Sequence, residues 1–240
     1  MTDSAPPPNA GTHTTIHLHP TAPLAERVLL PGDPGRALML AQTLLEEPRM
    51  FNHHRGLWGY TGTAEDGEPV TIQATGMGGP SAAIVLHELI ELGARRAIRV
   101  GTCGALREGL KLGELILAGE AICADGTSRA LGAAERVQAD AALTRAIRDH
   151  APSAHEGAVV SVDLFYDSGD PSGGHDDALA VEMEAATLFA VGARAGVPVA
   201  CLLAVSDTFT VDGGRHRIDE HTLLASSERM GAAAIAALSV

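Results

Sequence analysis

RVGTCGAL, residues 99–106, joins an apolar segment to a glycine-containing turn and carries an arginine at the junction. The apolar residues before the junction predict a buried strand, and a guanidinium is rarely found where such a strand stops. Two upstream stretches, 27–36 (RVLLPGDPGR) and 69–79 (PVTIQATGMGG), also pass from an apolar strand through glycines toward a helix. This order predicts an α/β fold whose ligand lies in loops at the carboxyl ends of the strands.

The rest of the chain continues the alternation. β-rich runs are predicted over 113–126, 157–167 and 198–209, and helices over 140–151, 180–196 and 222–240. We therefore expect one domain, residues 16–240, with a mixed central β-sheet flanked by helices on both faces. The Pro-, Ser- and Thr-rich start, residues 1–15, is predicted to be a disordered tail and lacks the basic and apolar regions of a signal peptide.

Composition excludes several classes of partner. The chain has 240 residues and a net charge of -13, and Lys111 is its one lysine, which argues against binding to nucleic acid or an anionic membrane. No apolar run is long enough for a membrane-spanning helix. Cys103, Cys123 and Cys201 are far apart and lack metal or redox spacing, so we expect reduced thiols in a cytoplasmic protein.

Candidate anion ligands stand beside the predicted turns. Gly32 offers a backbone N–H, and Arg36 falls in the first turn of the next helix, where the dipole favours anions. Arg55 follows two histidines, and Arg99 is close to the hydroxyl of Thr102. Each arginine alone is typical of a surface ion pair, but the combination predicts a site that closes around one phosphate.

Acidic residues form two further candidates. Glu182 and Glu184 flank Met183 in an apolar setting, and on a helix residues two apart point to different sides, so we expect the two acids to serve different purposes. One such purpose is to accept hydrogen bonds from a sugar diol. Ser206 and Asp207 end an apolar strand, and Asp207 by itself is predicted to be a helix N-cap.

Seven motifs, in their order and spacing, give a resemblance from about Ile16 to the C-terminus. They are PGDPGRA, RG..GYTG, TGMG.PS, RVGTCG, SVDLFY, VEMEAA and VSD. The chain resembles the hexameric purine nucleoside phosphorylase and uridine phosphorylase family, whose members split nucleosides with inorganic phosphate. In this family the arginine of RVGTCG binds the phosphate that attacks the sugar, which implies a role for the unexpected arginine.

The resemblance implies a role for each matching residue. Asp207 would be catalytic, acting on the base. The phosphate ligands would be Gly32, Arg36, Arg99 and Thr102, with Arg55 reaching the site of an adjacent subunit. The ribose ligands would be Met77, Met183, Glu184 and, across the subunit boundary, His17, with His19 as the alternative. The base would contact Phe165, Val181, Glu182 and Ser206.

The chemistry that the resemblance implies requires two charges to be stabilised. Cleavage leaves positive character on the ribose and negative charge on the departing base. The phosphate anion stabilises the positive ribose. A carboxylic acid such as Asp207 neutralises the negative charge of the base by delivering a proton to purine N7. Purine enzymes pair this acid with an arginine on the final helix. The matching position of this sequence has no arginine, so either Arg215 and Arg217 would take its place or the acid would act alone.

Alternatives remain at the level of substrate and reaction. Uridine-specific members carry a Gln-x-Arg pair after LFY, which is missing from residues 168–180 here, so a purine is favoured over uridine. Nucleosidases that use water do not need the arginines, and a non-catalytic nucleoside-binding protein would have lost some of the reacting groups. No metal site is predicted, since the adjacent His53 and His54 point apart, and no cofactor beyond the co-substrate phosphate. Sites shared between subunits imply a homo-oligomer, in the family a trimer of dimers.

Overall fold

The computed structural model describes residues 15–166, 174–209 and 214–239. The predicted disordered tail, apart from its last residue, lies outside these ranges. Within them no helix is long and apolar enough to cross a membrane.

Eleven strands and six α-helices lie in the described ranges. The strands are β1 Arg27–Leu30, β2 Glu46–Asn52, β3 Gly59–Thr63, β4 Pro69–Gln73, β5 Arg96–Ala105, β6 Leu115–Cys123, β7 Arg136–Gln138, β8 His155–Ser161, β9 Ala180–Glu182, β10 Val199–Phe209 and β11 Arg215–Arg217. The helices are α1 Pro34–Leu44, α2 Gly79–Leu92, α3 Gly126–Ala130, α4 Ala141–His150, α5 Ala185–Ala195 and α6 Glu220–Ala237. This is the predicted single-domain α/β fold with a mixed sheet.

All strands belong to one sheet, in the order β11-β10-β6-β8-β9-β5-β1-β4-β3-β2, with β7 on β6. β5 also pairs in parallel with β10, so the strands β10, β6, β8, β9 and β5 close into a ring. β1 pairs in parallel with both β4 and β5. The carboxyl ends of β1, β4, β5 and β10 therefore point in the same direction, toward one edge of the sheet.

Side chains that alternate along the strands build two apolar layers. On β5, Ala97 and Cys103 face the layer that α2 and α5 cover, while Ile98 and Val100 face the layer beneath α1, α4 and α6. Aspartates cap the starts of α1, α3, α4 and α6; at α1, the Asp33 side chain accepts a hydrogen bond from the backbone N–H of Arg36. Burial of apolar surface on both faces thus fixes which end of each strand is left for the loops.

Three local expectations were wrong. The helix predicted over 180–196 begins at Ala185, because residues 180–182 pair as β9 with β5 and β8. β5 continues to Ala105, so Arg99 lies within a strand and not at its end. Asp207 lies in β10, opposite Arg217 of β11, and is not a helix cap; Asp219 caps α6.

Candidate active site

Arg99 owes its position to the strand beside it. It lies opposite Leu30, the last residue of β1, so β1 stops beside Arg99 while β5 continues. The side chain is 3% exposed. Arg99 is therefore next to a strand end, as expected from the sequence, but the strand that ends there is β1 and not β5.

The Arg99 guanidinium is bound by two carboxylates of its own chain. Its Nε donates to Glu182 Oε2 at 3.0 Å, and its Nη2 donates to Glu184 Oε2. Burial by itself lowers the pKa of Arg99, but the charges of Glu184 and Glu182 outweigh that effect, so the pKa stays above its ordinary value. The burial of this arginine is therefore explained without an external anion.

One donor of Arg99 is left over. Its Nη1 is buried and has no hydrogen-bond partner. The guanidinium folds over Gly101, where a Cβ atom would lie 2.7 Å from Arg99 Cζ. Only glycine leaves room for this conformation, and the sequence-based prediction overlooked its role. A buried, unpaired donor on a cation is a place where an anionic ligand oxygen gains most.

Arg36 lies close enough to Arg99 for their charges to interact. Burial lowers the pKa of Arg36, the positive charge of Arg99 lowers it further, and Asp33 opposes both. Among the described residues the Arg36 guanidinium makes no hydrogen bond or ion pair. Gly32 lies in the loop before α1, the helix that carries Arg36, and its carbonyl accepts a hydrogen bond from the N–H of Gly76 at 3.0 Å. Two neighbouring cations with unused donors form an anion-binding arrangement.

The structure does not bring the other two phosphate candidates into this arrangement. Strand alternation puts Thr102 on the face of β5 opposite Arg99, although both follow the end of β1. Arg55 is exposed in a short 3₁₀ turn and has a φ of 58°, in the left-handed region that non-glycine residues rarely adopt. Within the described part of the chain its side chain has no hydrogen bond or ion pair.

Three of the ribose candidates, Met77, Met183 and Glu184, lie at or near the start of α5. Glu184 is 6% exposed and precedes the helix, and its Oε1 accepts a hydrogen bond from the backbone N–H of Gly78. Met77 stands next to Gly78 and is 86% exposed. Met183, beside Glu184, is half-buried. Glu184 thus links the loop after β4 to the arginine on β5.

His17 and His19 point in different directions. His17 Nδ1 lies 2.7 Å from Glu88 Oε1, and the same carboxylate accepts the backbone N–H groups of residues 16–18. The His19 ring stacks on His54, with centroids 3.8 Å apart. Burial raises the pKa of Glu88, but the hydrogen bonds from His17 and Leu18 together outweigh that effect, so the pKa lies below its ordinary value. Glu88 was not predicted, since nothing in its spacing on α2 marks it.

Asp207 is nearly buried, at 4% exposed, and lies beside two arginines of β11. Its Oδ2 accepts a hydrogen bond from Ser206 Oγ at 2.6 Å. Its Oδ1 lies 3.3 Å from Arg215 Nε and 3.7 Å from Arg217 Nη1. The antiparallel pair of β10 and β11 thus places two arginines beside Asp207, where the matching position of the final helix has none.

The base candidates surround this carboxylate in part. Phe165 is 46% exposed and lies beneath the guanidinium of Arg215, which is 4.3 Å from its ring centroid. Val181 lies on β9, opposite Gly104, where the Phe209 ring also packs. A cavity of about 770 Å³ borders Phe209. Its lining contains none of the predicted phosphate, ribose or base ligands and does not include Asp207.

Glu182 does not have the orientation expected for a base contact. Its side chain is fully buried, and its oxygens accept from Arg99, Ser161 and the backbone N–H groups of Glu184 and Ala185. The two glutamates were expected to point apart on a helix. Both instead reach Arg99, because Glu182 ends a strand and Glu184 precedes the helix.

The described ranges contain no group of three or more His, Cys, Asp or Glu side chains arranged to hold a metal ion. Of the two adjacent histidines, His54 stacks on His19, and its Nδ1 lies 3.0 Å from the carbonyl oxygen of His17.

Comparison with known proteins agrees with the motifs. The profile of the phosphorylase superfamily matches residues 26–239, and the chain belongs to this superfamily. A relative named purine nucleoside phosphorylase DeoD-type, from Alkaliphilus metalliredigens, is 38% identical over 208 residues, which cover 82% of this chain and 88% of the relative. Proteins of the same name are 38% identical in Clostridium beijerinckii (81% and 86% covered) and 39% in Bacillus thuringiensis (77% and 82%). The resemblance stated from the motifs is confirmed.

Proposed function

We propose that the chain is a purine nucleoside phosphorylase, a pentosyltransferase that converts purine ribo- and deoxyribonucleosides and phosphate to the free base and the sugar 1-phosphate. The observation that carries the proposal is the pair of arginines Arg36 and Arg99: the Arg36 guanidinium and the buried Nη1 of Arg99 have no partner among the described residues, and Arg99 is held beside the buried Glu184. The relatives named purine nucleoside phosphorylase support the same reaction.

Phosphate binding follows from the charges. Arg36 and Arg99 repel each other, as the lowered pKa of Arg36 reflects beside the larger effect of burial. A phosphate dianion that accepts from Arg99 Nη1 and from Arg36 would remove this repulsion and pair both sets of donors. Gly32 follows the same end of β1 and completes the proposed site, whereas Thr102 lies on the face of β5 opposite Arg99.

The proposed reaction is attack of phosphate on the sugar with protonation of the leaving base. A phosphate oxygen forms a bond to C1′ of the sugar while the C1′–N9 bond breaks, and its electron pair goes to the base. The protonated carboxyl of Asp207 gives its proton to N7, so the base leaves neutral and the carboxylate recovers a proton from water. Arg215 and Arg217 stabilise the carboxylate that forms, and Glu184 holds the sugar hydroxyls.

The proposed assembly is a homohexamer with shared sites. Arg55 and His17 lie on exposed or half-exposed segments of this chain, and we assign them to the phosphate and the ribose 5′-hydroxyl of a neighbouring subunit. Glu88 fixes the N-terminal segment that carries His17. The three buried, free cysteines accord with the cytoplasmic location expected from the sequence.

The reaction class is tested with inosine, adenosine, guanosine and uridine, each incubated with the purified protein with and without phosphate. We expect purine nucleosides to yield ribose 1-phosphate only when phosphate is present. Free ribose in both conditions would make the protein a hydrolase. Cleavage of uridine alone would make it a uridine phosphorylase, and no turnover with binding retained would make it a nucleoside-binding protein.

The phosphate site is tested by Arg36→Gln. Loss of a charged donor to a bound anion should raise the KM for phosphate by about tenfold or more and leave the KM for the nucleoside nearly unchanged. Arg145→Gln is the matched control, because Arg145 is exposed on α4 and lies outside the site. Equal phosphate KM values in the two variants would remove Arg36 from the site.

A further inference from the structure

Asp125 is a buried carboxylate that the proposed reaction does not use. It is 0% exposed and caps the start of α3, where its Oδ2 accepts the backbone N–H of Ser128 at 2.7 Å and its Oδ1 accepts the Ser128 hydroxyl. Oδ2 also accepts a hydrogen bond from Thr187 Oγ1 of α5 at 2.8 Å. Within the described ranges Asp125 forms no ion pair, so hydroxyl and amide donors compensate its burial.

Thr187 ties Asp125 to the first turn of α5. It is 0% exposed and lies three positions after Glu184, the residue that precedes this helix. The carbonyl of Glu184 accepts the backbone N–H of Leu188 at 2.9 Å, which closes the same turn. A movement of this turn would therefore carry the backbone of Glu184 with it.

Gly79 joins this turn to the loop after β4. A Cβ atom on Gly79 would lie 2.7 Å from Thr187 Oγ1 and 2.8 Å from Thr127 Oγ1 of α3. The first residue of α2 therefore packs directly on both α3 and α5. Its neighbour Gly78 donates its backbone N–H to Glu184 Oε1. The contacts among three helix starts thus fix both Glu184 and a donor that orients its carboxylate.

We propose that Asp125, acting through Thr187, is a positioning residue for the ribose site. It holds the start of α5 against Gly79, so that the Glu184 carboxylate keeps the orientation in which it pairs with Arg99. Each carboxylate oxygen has a second lone pair, which is then available to a sugar hydroxyl. The inference rests on the proposed function, since it takes Glu184 as the residue that holds the sugar hydroxyls.

Thr187→Val tests the link because valine keeps the shape of threonine and removes the hydroxyl. The Asp125 carboxylate then loses one of its donors, and the hydrogen bond that joins α3 to α5 is gone. We expect the KM for inosine to rise. The KM for phosphate should stay within about twofold, because Glu182 still binds Arg99 Nε.

The specific readout is the ratio of kcat/KM for inosine to kcat/KM for 2′,3′-dideoxyinosine, which lacks both hydroxyls that Glu184 would bind. In Thr187→Val this ratio should fall by about fivefold or more, because the contact that distinguishes the two nucleosides is weakened. Thr187→Ser keeps the hydroxyl and should keep the ratio of the unaltered protein.

Thr144→Val is the matched control. Thr144 is 6% exposed on α4, and its Oγ1 donates to the carbonyl oxygen of Asp140 at 2.7 Å, so the same substitution removes a buried helix hydroxyl outside the site. It should change Tm and leave the ratio unchanged. If Thr187→Val also changed Tm alone, Asp125 and Thr187 would have a purely structural role and the inference would be overturned.

A second pair of variants covers the case in which Thr187→Val does not fold. Asp125→Asn keeps an oxygen for the donors of Thr187 and the Ser128 backbone, and its amide can donate to the Ser128 hydroxyl. We expect Asp125→Asn to keep the ratio and Asp125→Ala to lower it by about fivefold or more. Equal ratios in these two variants would overturn the inference.

Calorimetric binding of the two nucleosides to the full-length protein separates the inference from the proposed function. If the unaltered protein binds inosine more tightly than 2′,3′-dideoxyinosine, Thr187→Val loses that preference and no phosphorolysis occurs, the proposed function is refuted and the positioning role stands. Phosphorolysis with an unchanged ratio in Thr187→Val would do the reverse. Equal binding of the two nucleosides by the unaltered protein would overturn the inference, since Glu184 would then make no contact with the hydroxyls.

Discussion

The buried carboxylate of Glu182 gives the sharpest prediction for stability. It accepts from Arg99 Nε at 3.0 Å, from Ser161 Oγ and from two backbone N–H groups at the start of α5, and its side chain is 0% exposed. The substitution Glu182→Ala leaves all of these donors without that acceptor. Glu182→Gln keeps the volume and one oxygen, and its amide group can face Ser161, which is able to accept.

The magnitude follows from burial. Removing one partner of a buried ion pair costs about 3–5 kcal/mol, because the remaining charge stays desolvated. For a domain of this size about 1 kcal/mol shifts Tm by about 2–4 °C, so Glu182→Ala should lower Tm by about 6–20 °C. Glu182→Gln should fall between this value and zero. Glu184 continues to pair with Arg99, which favours the lower part of the range.

Unfolding by urea or heat, at one protein concentration for all variants, measures these values. Glu156→Ala is the control: Glu156 also binds an arginine through two hydrogen bonds, to Arg148 at 2.6 and 2.7 Å, but on the surface. An exposed pair contributes little, so we expect almost no change in Tm. If Glu182→Ala and Glu156→Ala had the same Tm, burial would not be what makes the Glu182 pair matter.

Two further substitutions test single contacts. Gly101→Ala puts a Cβ 2.7 Å from Arg99 Cζ and should raise the phosphate KM by about tenfold or more. The control is Gly119→Ala on β6, where the nearest atom to the new Cβ would be 3.7 Å away, and we expect no change in the phosphate KM. Equal KM values for the two variants in steady-state assays would contradict the role of Gly101. The hydrogen bond from Arg27 holds the pKa of Asp66 well below its ordinary 3.8, so its stabilisation is present above about pH 4 and is lost as pH falls through the lowered pKa. The Tm difference between the unaltered protein and Asp66→Asn should therefore shrink as pH falls from 5 toward 2, and a constant difference would refute this.

The motifs predicted where the strands end and the loops of the candidate site begin, because that order is a local property of the chain. Gly32 and Arg36 follow β1 as expected, and the strand, loop and helix order around 69–92 is correct. Arg215 and Arg217 were open alternatives, and their distances to Asp207 depend on the β10–β11 pairing. A short polar strand has no hydrophobic pattern that would predict its pairing. The distance from each arginine to Asp207 therefore depends on the register of β11 against β10.

The amino-acid sequence alone determined the alternation of strands and helices, the single α/β domain and the family, because apolar periodicity and motif spacing are local properties of the chain. Tertiary structure alone decided which charges meet. Arg99 binds Glu182 and Glu184, which are more than eighty positions away, because β5 pairs with β9. Such contacts depend on strand order and register, and these are set by packing of the whole sheet between its two apolar layers.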